Sequence, residues 1–476
     1  MPHAPLATAA RRIRNRRTSA ARVAPAQEPR TGRGWALLAA SLGFAVVQLD
    51  VSVVNVAIKP IGAQFGSSLS GLQWIVSAYT VAFAALILSA GALGDRIGAK
   101  RVFMAGFGLF TLASAACGLA PSLGLLIAAR AVQGVGAAVL VPCSLTLLNH
   151  AYPETHARAR AIGLWAAGAS VALSAGPLVG GVLTATVGWR AIFFINAPIG
   201  AAGIWLTARW AQETSRSAQR GLDLPGQGAA ILWLLALTAA VIEGGAHGFG
   251  NSAVLGCFAL AAIAGACFLA IEARGRRPML PLALFSSPTF SAATAIGLLI
   301  NIAFYGLIFL LSLFFQRVQH HDPLVTGLAF APMTAIVMAS NLLAARLARA
   351  FGAGRTILAG AVVMSAGLAA LLGVAASSPY VALVGQLVAI GAGIGLIVPA
   401  MTAALLGSVE RSRSGVASGT LNTARQTGSV IGVALFGSLA AGGLLGGLRD
   451  ALLVSIALAL GAGALGVLID LREGRA

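Results

Sequence analysis

The chain has 476 residues, 58% of them hydrophobic and 9% charged, and its 32 Lys and Arg against 13 Asp and Glu give a formal net charge of +19. Soluble domains are roughly a quarter charged, so a mean hydropathy of +0.89 excludes a water-soluble globule and implies a multi-spanning membrane protein. The apolar runs are continuous rather than alternating, which excludes a transmembrane β-barrel.

In chain order, the sequence predicts fourteen spans: 35–58, 72–93, 102–120, 122–145, 160–184, 190–208, 224–243, 252–271, 289–314, 325–345, 356–376, 380–406, 416–441 and 450–470. Each is long enough to cross a hydrocarbon core of about 30 Å at about 1.5 Å per residue. Residues 1–34 read as a basic cytoplasmic tail, 35–210 as a six-helix bundle, 211–288 as a linker with two inserted helices, and 289–476 as a second six-helix bundle. The predicted fold is all-α, with 14 transmembrane helices.

The basic charge follows this count. The N-terminal tail, the segments after even-numbered spans and the C-terminal tail hold twenty-six Lys and Arg, and the other side holds Lys59, Arg190, Arg317 and Arg449. The positive-inside rule then puts both termini in the cytoplasm. The partner of the charge is anionic lipid, not nucleic acid. Cys117, Cys143, Cys257 and Cys267 lie in apolar runs without zinc-type spacing and read as small buried hydrophobes.

An internal repeat supports two parallel halves. "GALGDRIGAKRVFMAG" (91–106) aligns with "ARLARAFGAGRTILAG" (345–360), and "VQGVGAAVLVP" (132–142) aligns with the segment ending "GLIVP" at 399. Repeats related about the membrane normal point to a rocking transporter with a central cavity. The halves differ where charge is concerned: Asp95 aligns with Arg349, and Arg130 with Leu387.

Asp50 sits in "VQLDVSVVNVAI" (47–58), an otherwise apolar span. An acid at a span centre costs about 2.5–3.5 kcal/mol on insertion scales and marks a functional site by default. Arg130, at matching depth in span 4, is its natural partner, with Gln133 on the same helical face. A carboxylate held between burial and a nearby guanidinium can bind and release a proton as a cavity changes sides. In the loop "GALGDRIGAKR" (91–101), Gly91 and Gly94 allow close helix approach, Gly98 a tight turn, and Asp95 an Arg or helix-terminus contact. Arg96, Lys100 and Arg101 hold that loop at the leaflet. Span 5 carries a small-residue stripe, Gly168, Ala172, Gly176 and Gly180, with Gly181 beside it and a bending point at Pro177.

Candidate cavity-lining groups are Gln48, Asn55, Trp74, Tyr79, Gln133, Trp165, Asn301, Tyr305, Asn422, Arg425 and Gln426. Glu243 reads as a solvated interfacial acid. No histidine has metal-ligand spacing, no Walker A sequence is present, and no nucleophile and base stand together, so neither ATP drive nor an enzyme is expected.

These motifs resemble the major facilitator superfamily, in particular its fourteen-span drug:proton antiporters. "LDVSVVNVAI", "GALGDRIGAKR", "RAVQGVGAA" (130–138), "SAGPLVGG" (174–181), "LQWIVSAY" (72–79) and "WRAIFFINAPIG" (189–200) carry the resemblance. "MTAALL" (401–406) and "NTARQTGSVIG" (422–432) are similar to methylenomycin-resistance-type exporters. Ala172 stands where the span-5 motif usually has Gly, and Lys59-Pro60 replaces the usual exit of span 1. The resemblance implies proton-coupled efflux of small amphipathic drugs across the cytoplasmic membrane by a monomer, with no cofactor beyond the proton gradient. Export of an endogenous metabolite is the alternative. It further implies that Asp50 and Arg130 carry the proton cycle. The loop of Gly91, Asp95, Arg96, Gly98, Lys100 and Arg101 would latch the cytoplasmic side. Gly176, Pro177, Gly180 and Gly181 would seal against leak.

Overall fold

The computed structural model describes residues 30–214, 223–275, 278–410 and 413–473. The tail arginines from Arg11 to Arg22, and Arg216, Arg220, Arg276, Arg277 and Arg411, lie outside the described residues.

Fourteen long helices run in order: α1 Arg30–Phe65, α2 Leu69–Ile97, α3 Ala99–Leu119, α4 Leu123–Ala151, α5 Thr155–Thr186, α6 Ala191–Trp210, α7 Leu224–His247, α8 Ser252–Arg274, α9 Pro288–Leu313, α10 Pro323–Phe351, α11 Ala353–Leu371, α12 Tyr380–Gly407, α13 Ser414–Leu439 and α14 Leu444–Glu473. Thirteen are long and apolar enough to cross a membrane; α13 is the exception. Its 26 residues suffice in length, but its first half, "SGVASGTLNTARQTGS", is polar.

Local chemistry sets the helix starts. Ser68, Ser122, Asp223 and Asp322 each accept a hydrogen bond from the backbone N–H three residues on, at 3.3, 3.4, 2.9 and 2.8 Å. These side chains satisfy donors that the helix leaves unpaired. Fourteen alternating helices put the first and last described residues at one end of the bundle, the termini end. There the Tyr152 hydroxyl donates to the Arg33 carbonyl at 2.9 Å, and Trp35 stacks on Trp210 at 6.2 Å.

Helix α1 is longer than the predicted span 35–58 and continues through Pro60 to Phe65. Lys59 and Pro60 therefore lie inside the helix rather than at its end. Lys59 reaches inward, and its Nζ donates to the Gln316 carbonyl at 2.5 Å.

The helix pairs of the first six helices recur in the last six. Helix α1 packs on α5 as α9 packs on α13, α3 on α4 as α11 on α12, and α3 on α6 as α11 on α14. Gly98, between α2 and α3, has φ +112°, and Gly352, between α10 and α11, has φ +90°. Both turns need a left-handed backbone that favours glycine. Arg101 Nε lies 3.6 Å from Glu213 Oε2, and Arg355 Nε lies 3.2 Å from Asp470 Oδ2. Arg101 and Arg355 are the two aligned repeat positions, so the same tie recurs in both places.

Helix α7 lies along α2 and α13, while α8 packs chiefly on α7. Gln227 Nε2 donates to the Ala85 carbonyl at 2.9 Å, and Trp74 Nε1 donates to Glu243 Oε1 at 3.0 Å. The α7 attachment therefore has a polar contact toward each end.

Candidate functional site

Asp50 is fully buried in the first six helices, and Arg130 is 1% exposed. Arg130 Nη1 donates to Asp50 Oδ2 at 2.5 Å and to Gln133 Oε1 at 2.7 Å. Asp50 Oδ1 accepts from Gln133 Nε2 at 2.8 Å and from Asn196 Nδ2 at 3.1 Å. Arg130 Nε donates to the Ile75 carbonyl at 3.2 Å, and its guanidinium carbon sits 4.3 Å from the Tyr79 ring centroid. Four helices, α1, α2, α4 and α6, thus converge on one carboxylate and one guanidinium. A buried ion pair requires this degree of satisfaction, because desolvation otherwise exceeds the Coulomb gain.

Matching depth foresees the Asp50–Arg130 contact, and the helical offset places Gln133. Asn196 and Ser114 are additions. Asn196 Nδ2 also donates to Ser114 Oγ at 2.9 Å, and Ser114 Oγ donates to the Phe193 carbonyl at 2.9 Å. The available signal for Asn196 is one amide inside "IFFINAPIG". In the repeat position of Arg130, Leu387 is fully buried among apolar residues. Among the described residues, the ionic centre lies in the first six helices and has no counterpart in the last six.

The span-5 glycines divide between two neighbours. A Cβ on Gly176 would collide with Ser52 Oγ, and one on Gly180 would lie 2.7 Å from the Val53 carbonyl oxygen, so these two seat α5 on α1. A Cβ on Gly181 would lie 2.6 Å from the Pro323 carbonyl oxygen, and one on Gly327 would meet the Pro177 carbonyl. Pro177 and Gly181 therefore face α10, across the two halves. Gly168 meets only Ser41 Cβ at 3.9 Å and permits no close approach. At the end opposite the termini the contacts also include Lys59 on Gln316, the Ser312 hydroxyl donating to the Asn55 carbonyl at 2.6 Å, and Gln73 Nε2 donating to the Ala434 carbonyl at 2.8 Å.

The loop between α2 and α3 has a partner that is distant in sequence. Helix α3 has no cap of its own. Instead Thr214 Oγ1 accepts from Ala99 N at 2.9 Å, and Glu213 Oε1 accepts from Lys100 N at 3.0 Å. A Cβ on Gly98 would lie 2.5 Å from Glu213 Oε1. Lys100 Nζ donates to the Ala208 carbonyl at 2.9 Å. The segment after α6 thus caps α3, with its acid at a helix N-terminus. Replacing Glu213 with Ala is expected to lower stability by about 1 kcal/mol, the usual cost of a lost cap. The melting temperature in detergent checks this; an unchanged value would show that the cap carries no weight.

A cavity of about 310 Å³ opens near the termini end. Gly91 and Asp95 from α2, Pro142 from α4, Trp165 from α5 and Asn422 from α13 line it. Trp165 is fixed by donating Nε1 to Ser144 Oγ at 3.0 Å and by stacking on Phe44 at 4.3 Å. Of the cavity-lining candidates, Trp165 and Asn422 are on this wall. Trp74 is at the α2–α7 contact with Glu243, and Glu243 also lies 3.2 Å from His247 Nδ1. Tyr79 and Gln133 belong to the ionic centre, and Asn55 meets Ser312 of α9 through its carbonyl. Gln48 and Asn301 are buried, and Asn301 Nδ2 donates to the Gly297 carbonyl at 2.7 Å. Tyr305 packs against both large apolar cores. Arg425 and Gln426, both half-buried, follow Asn422 on α13.

An all-helical multi-pass membrane protein with an ionic centre in its interior and a cavity between its helices has the architecture of a transporter. Residues 40–433 match the Major Facilitator Superfamily, and the chain belongs to it. It is 39% identical to the methylenomycin A resistance protein of Streptomyces coelicolor over 420 residues, 87% of this chain and 88% of that protein. It is 38% identical to the multidrug resistance protein Stp of Mycobacterium tuberculosis over 405 residues, 85% of this chain and 75% of that one. With the puromycin resistance protein of Streptomyces alboniger it shares 33% identity over 434 residues, covering 90% and 86%. The crystal structure of a bacterial homolog to human lysosomal transporter, Spinster, in inward-facing and unoccupied conformation superposes with a TM-score of 0.67. That likeness, at 18% identity over 93% of this chain and 97% of that one, shows the fold.

Proposed function

We propose that this chain exports small amphipathic drugs or antibiotics across the cytoplasmic membrane in exchange for protons. It does so by alternating access, as a monomer, with both termini in the cytoplasm. The observation that carries this reading is the buried Asp50, held by Arg130, Gln133 and Asn196 in one half only. The names of its relatives, which include multidrug and antibiotic resistance proteins and a drug efflux pump, supply the substrate class. Both termini in the cytoplasm follow from the distribution of Lys and Arg.

The coupling works through α1. With Asp50 ionised, its two oxygens hold α1 against α4 and α6. Protonation removes the charge attraction to Arg130, which keeps the Ile75 carbonyl, Gln133 and the Tyr79 ring as partners. Ser52 and Asn55 lie two and five residues further along the same helix. Gly176 packs on Ser52, and the Asn55 carbonyl accepts from Ser312. Loosening Asp50 therefore reaches the seal opposite the termini through one rigid helix. The two six-helix halves, 35–210 and 289–476, rock about that seal, and the 91–101 loop latches the cytoplasmic side.

The test is drug flux into proteoliposomes under an imposed inside-acid pH gradient. The expected result is drug accumulation that collapses when a proton ionophore abolishes the gradient. Drug movement indifferent to the gradient would remove proton coupling from the reading, and no movement of any drug would remove export.

A further inference from the structure

Arg425 and Arg130 are both guanidiniums placed deep in the bundle, and they are treated oppositely. Arg425 lies eleven residues into α13, about 16 Å from the start of the helix. Its Nε is buried with no hydrogen-bond partner. No carboxylate pairs with it among the described residues: Asp50 is held by Arg130, Glu243 by Trp74 and Glu272 by the Leu280 N–H. Its stem lies against Gly297 of α9, where an added Cβ would be 3.4 Å from Arg425 Cγ. Its electrostatic neighbour is the Tyr305 phenol.

The position of Arg425 relates it to the cavity. Gly415, Ser418, Gly419 and Asn422 form the α13 wall of the cavity. Steps of three and four residues along one helical face lead from Asn422 to Arg425 and Gln426. Arg425 is therefore the next group inward, about 4.5 Å beyond Asn422. The rest of the wall combines apolar Leu88, Val141, Leu145, Val416 and Trp165 with the carboxylates Asp95 and Asp223, which lie on α2 and at the start of α7, away from Arg425 in sequence. A cation in a membrane interior is costly unless something pairs with it. No described carboxylate pairs with Arg425, and the α13 wall of the cavity ends at Asn422, one turn away.

We infer that Arg425 is the anion-recognition group of the substrate cavity, and that the preferred substrates are amphipathic aromatic compounds bearing a carboxylate. The carboxylate takes the bidentate face of the guanidinium, the aromatic body lies along Trp165 and the apolar wall, and Asn422 offers an amide between them. A volume of about 310 Å³ is in the range of small-molecule pockets, roughly 300–1,000 Å³. This inference rests on the export reading for its meaning, but its test does not use transport.

The test is equilibrium binding to the purified full chain in detergent, read by tryptophan quenching and by microcalorimetry. The probes are a panel of aromatic carboxylates, each paired with its own primary amide, against wild type, Arg425→Gln and Arg425→Lys. Wild type is expected to bind carboxylates about tenfold or more tighter than their amides, as a charge-assisted hydrogen bond provides. Arg425→Gln is expected to erase that preference and Arg425→Lys to retain part of it. Size-exclusion profiles of the variants establish that each is folded. The inference is overturned if no carboxylate is preferred over its amide, or if the preference survives in folded Arg425→Gln. A failure of proton-driven flux with the carboxylate preference intact would count against the export reading alone.

Discussion

Asp50→Asn is expected to abolish proton-driven accumulation of drug while leaving downhill drug exchange measurable. The substitution keeps the size and shape of the side chain and removes only the group that changes charge. It also leaves Arg130 without a counter-charge in a site where it is 1% exposed. Breaking one side of a buried ion pair typically costs about 3–5 kcal/mol, so Asp50→Asn should also melt at a lower temperature. The new amide nitrogen faces Gln133 Nε2 or Asn196 Nδ2, both of which now donate to Asp50 Oδ1. Turning over the Gln133 amide does not relieve this, because Arg130 Nη1 already donates to Gln133 Oε1.

A loss of stability could by itself lower flux, so the double variant Asp50→Asn with Arg130→Met is the deciding companion. Removing both charges takes away the orphan as well as the pair. The double variant is expected to recover about 1–3 kcal/mol relative to the sum of the single effects, yet to show no response to the proton gradient. Melting in detergent reads the first quantity and proteoliposome flux the second. Gradient-driven accumulation in either Asp50→Asn protein would sink the assignment of Asp50 as the coupling acid.

The parts of this structure that were legible in the sequence are those written along one helix or along the repeat. Fourteen apolar runs and the charge alternation foresaw the fourteen helices, including α13, whose polar first half escapes a test of apolarity alone. Depth along two helices brought Asp50 to Arg130. Pairings between distant segments were not legible. Glu213 caps a helix that begins 114 positions earlier, at Ala99, and nothing in the spacing near Gly98 announces it. Only the structure shows that Arg101–Glu213 and Arg355–Asp470 are one tie occurring twice. Trp74 shows a second reason. An aromatic residue in an apolar span fits a cavity, a lipid interface and a helix contact equally well, and the inserted α7 determines which, through Glu243. The span-5 motif shows a third. A one-dimensional stripe does not say that Gly176 and Gly180 meet α1 while Gly181 meets α10.

That division gives the second large expected effect. Gly181→Val should open the end of the bundle opposite the termini, because the added carbon atoms fall on the Pro323 carbonyl and Leu324 Cα of α10, at 2.6 and 3.0 Å from the Cβ position. Both are backbone atoms that no rotamer change can move aside. Overpacking of this kind costs roughly 1–3 kcal/mol, which shifts an equilibrium between closed and open forms by about 5- to 150-fold. The strain is confined to the α5–α10 contact, so moving those helices apart relieves it without unfolding either half. Gly327→Val attacks the same contact from the α10 side, through the Pro177 carbonyl, and should act in the same direction. Gly168→Ala is the matched control, since its nearest neighbour is Ser41 Cβ at 3.9 Å. Spin labels at Ala63, near the end of α1, and Ser377, before α12, report the separation at this end once Cys117, Cys143, Cys257 and Cys267 are replaced. Longer distances with depressed drug flux in both valine variants, and neither change in Gly168→Ala, are the expected outcome. Unchanged distances with full flux in Gly181→Val would mean that the α5–α10 contact does not govern closure at that end.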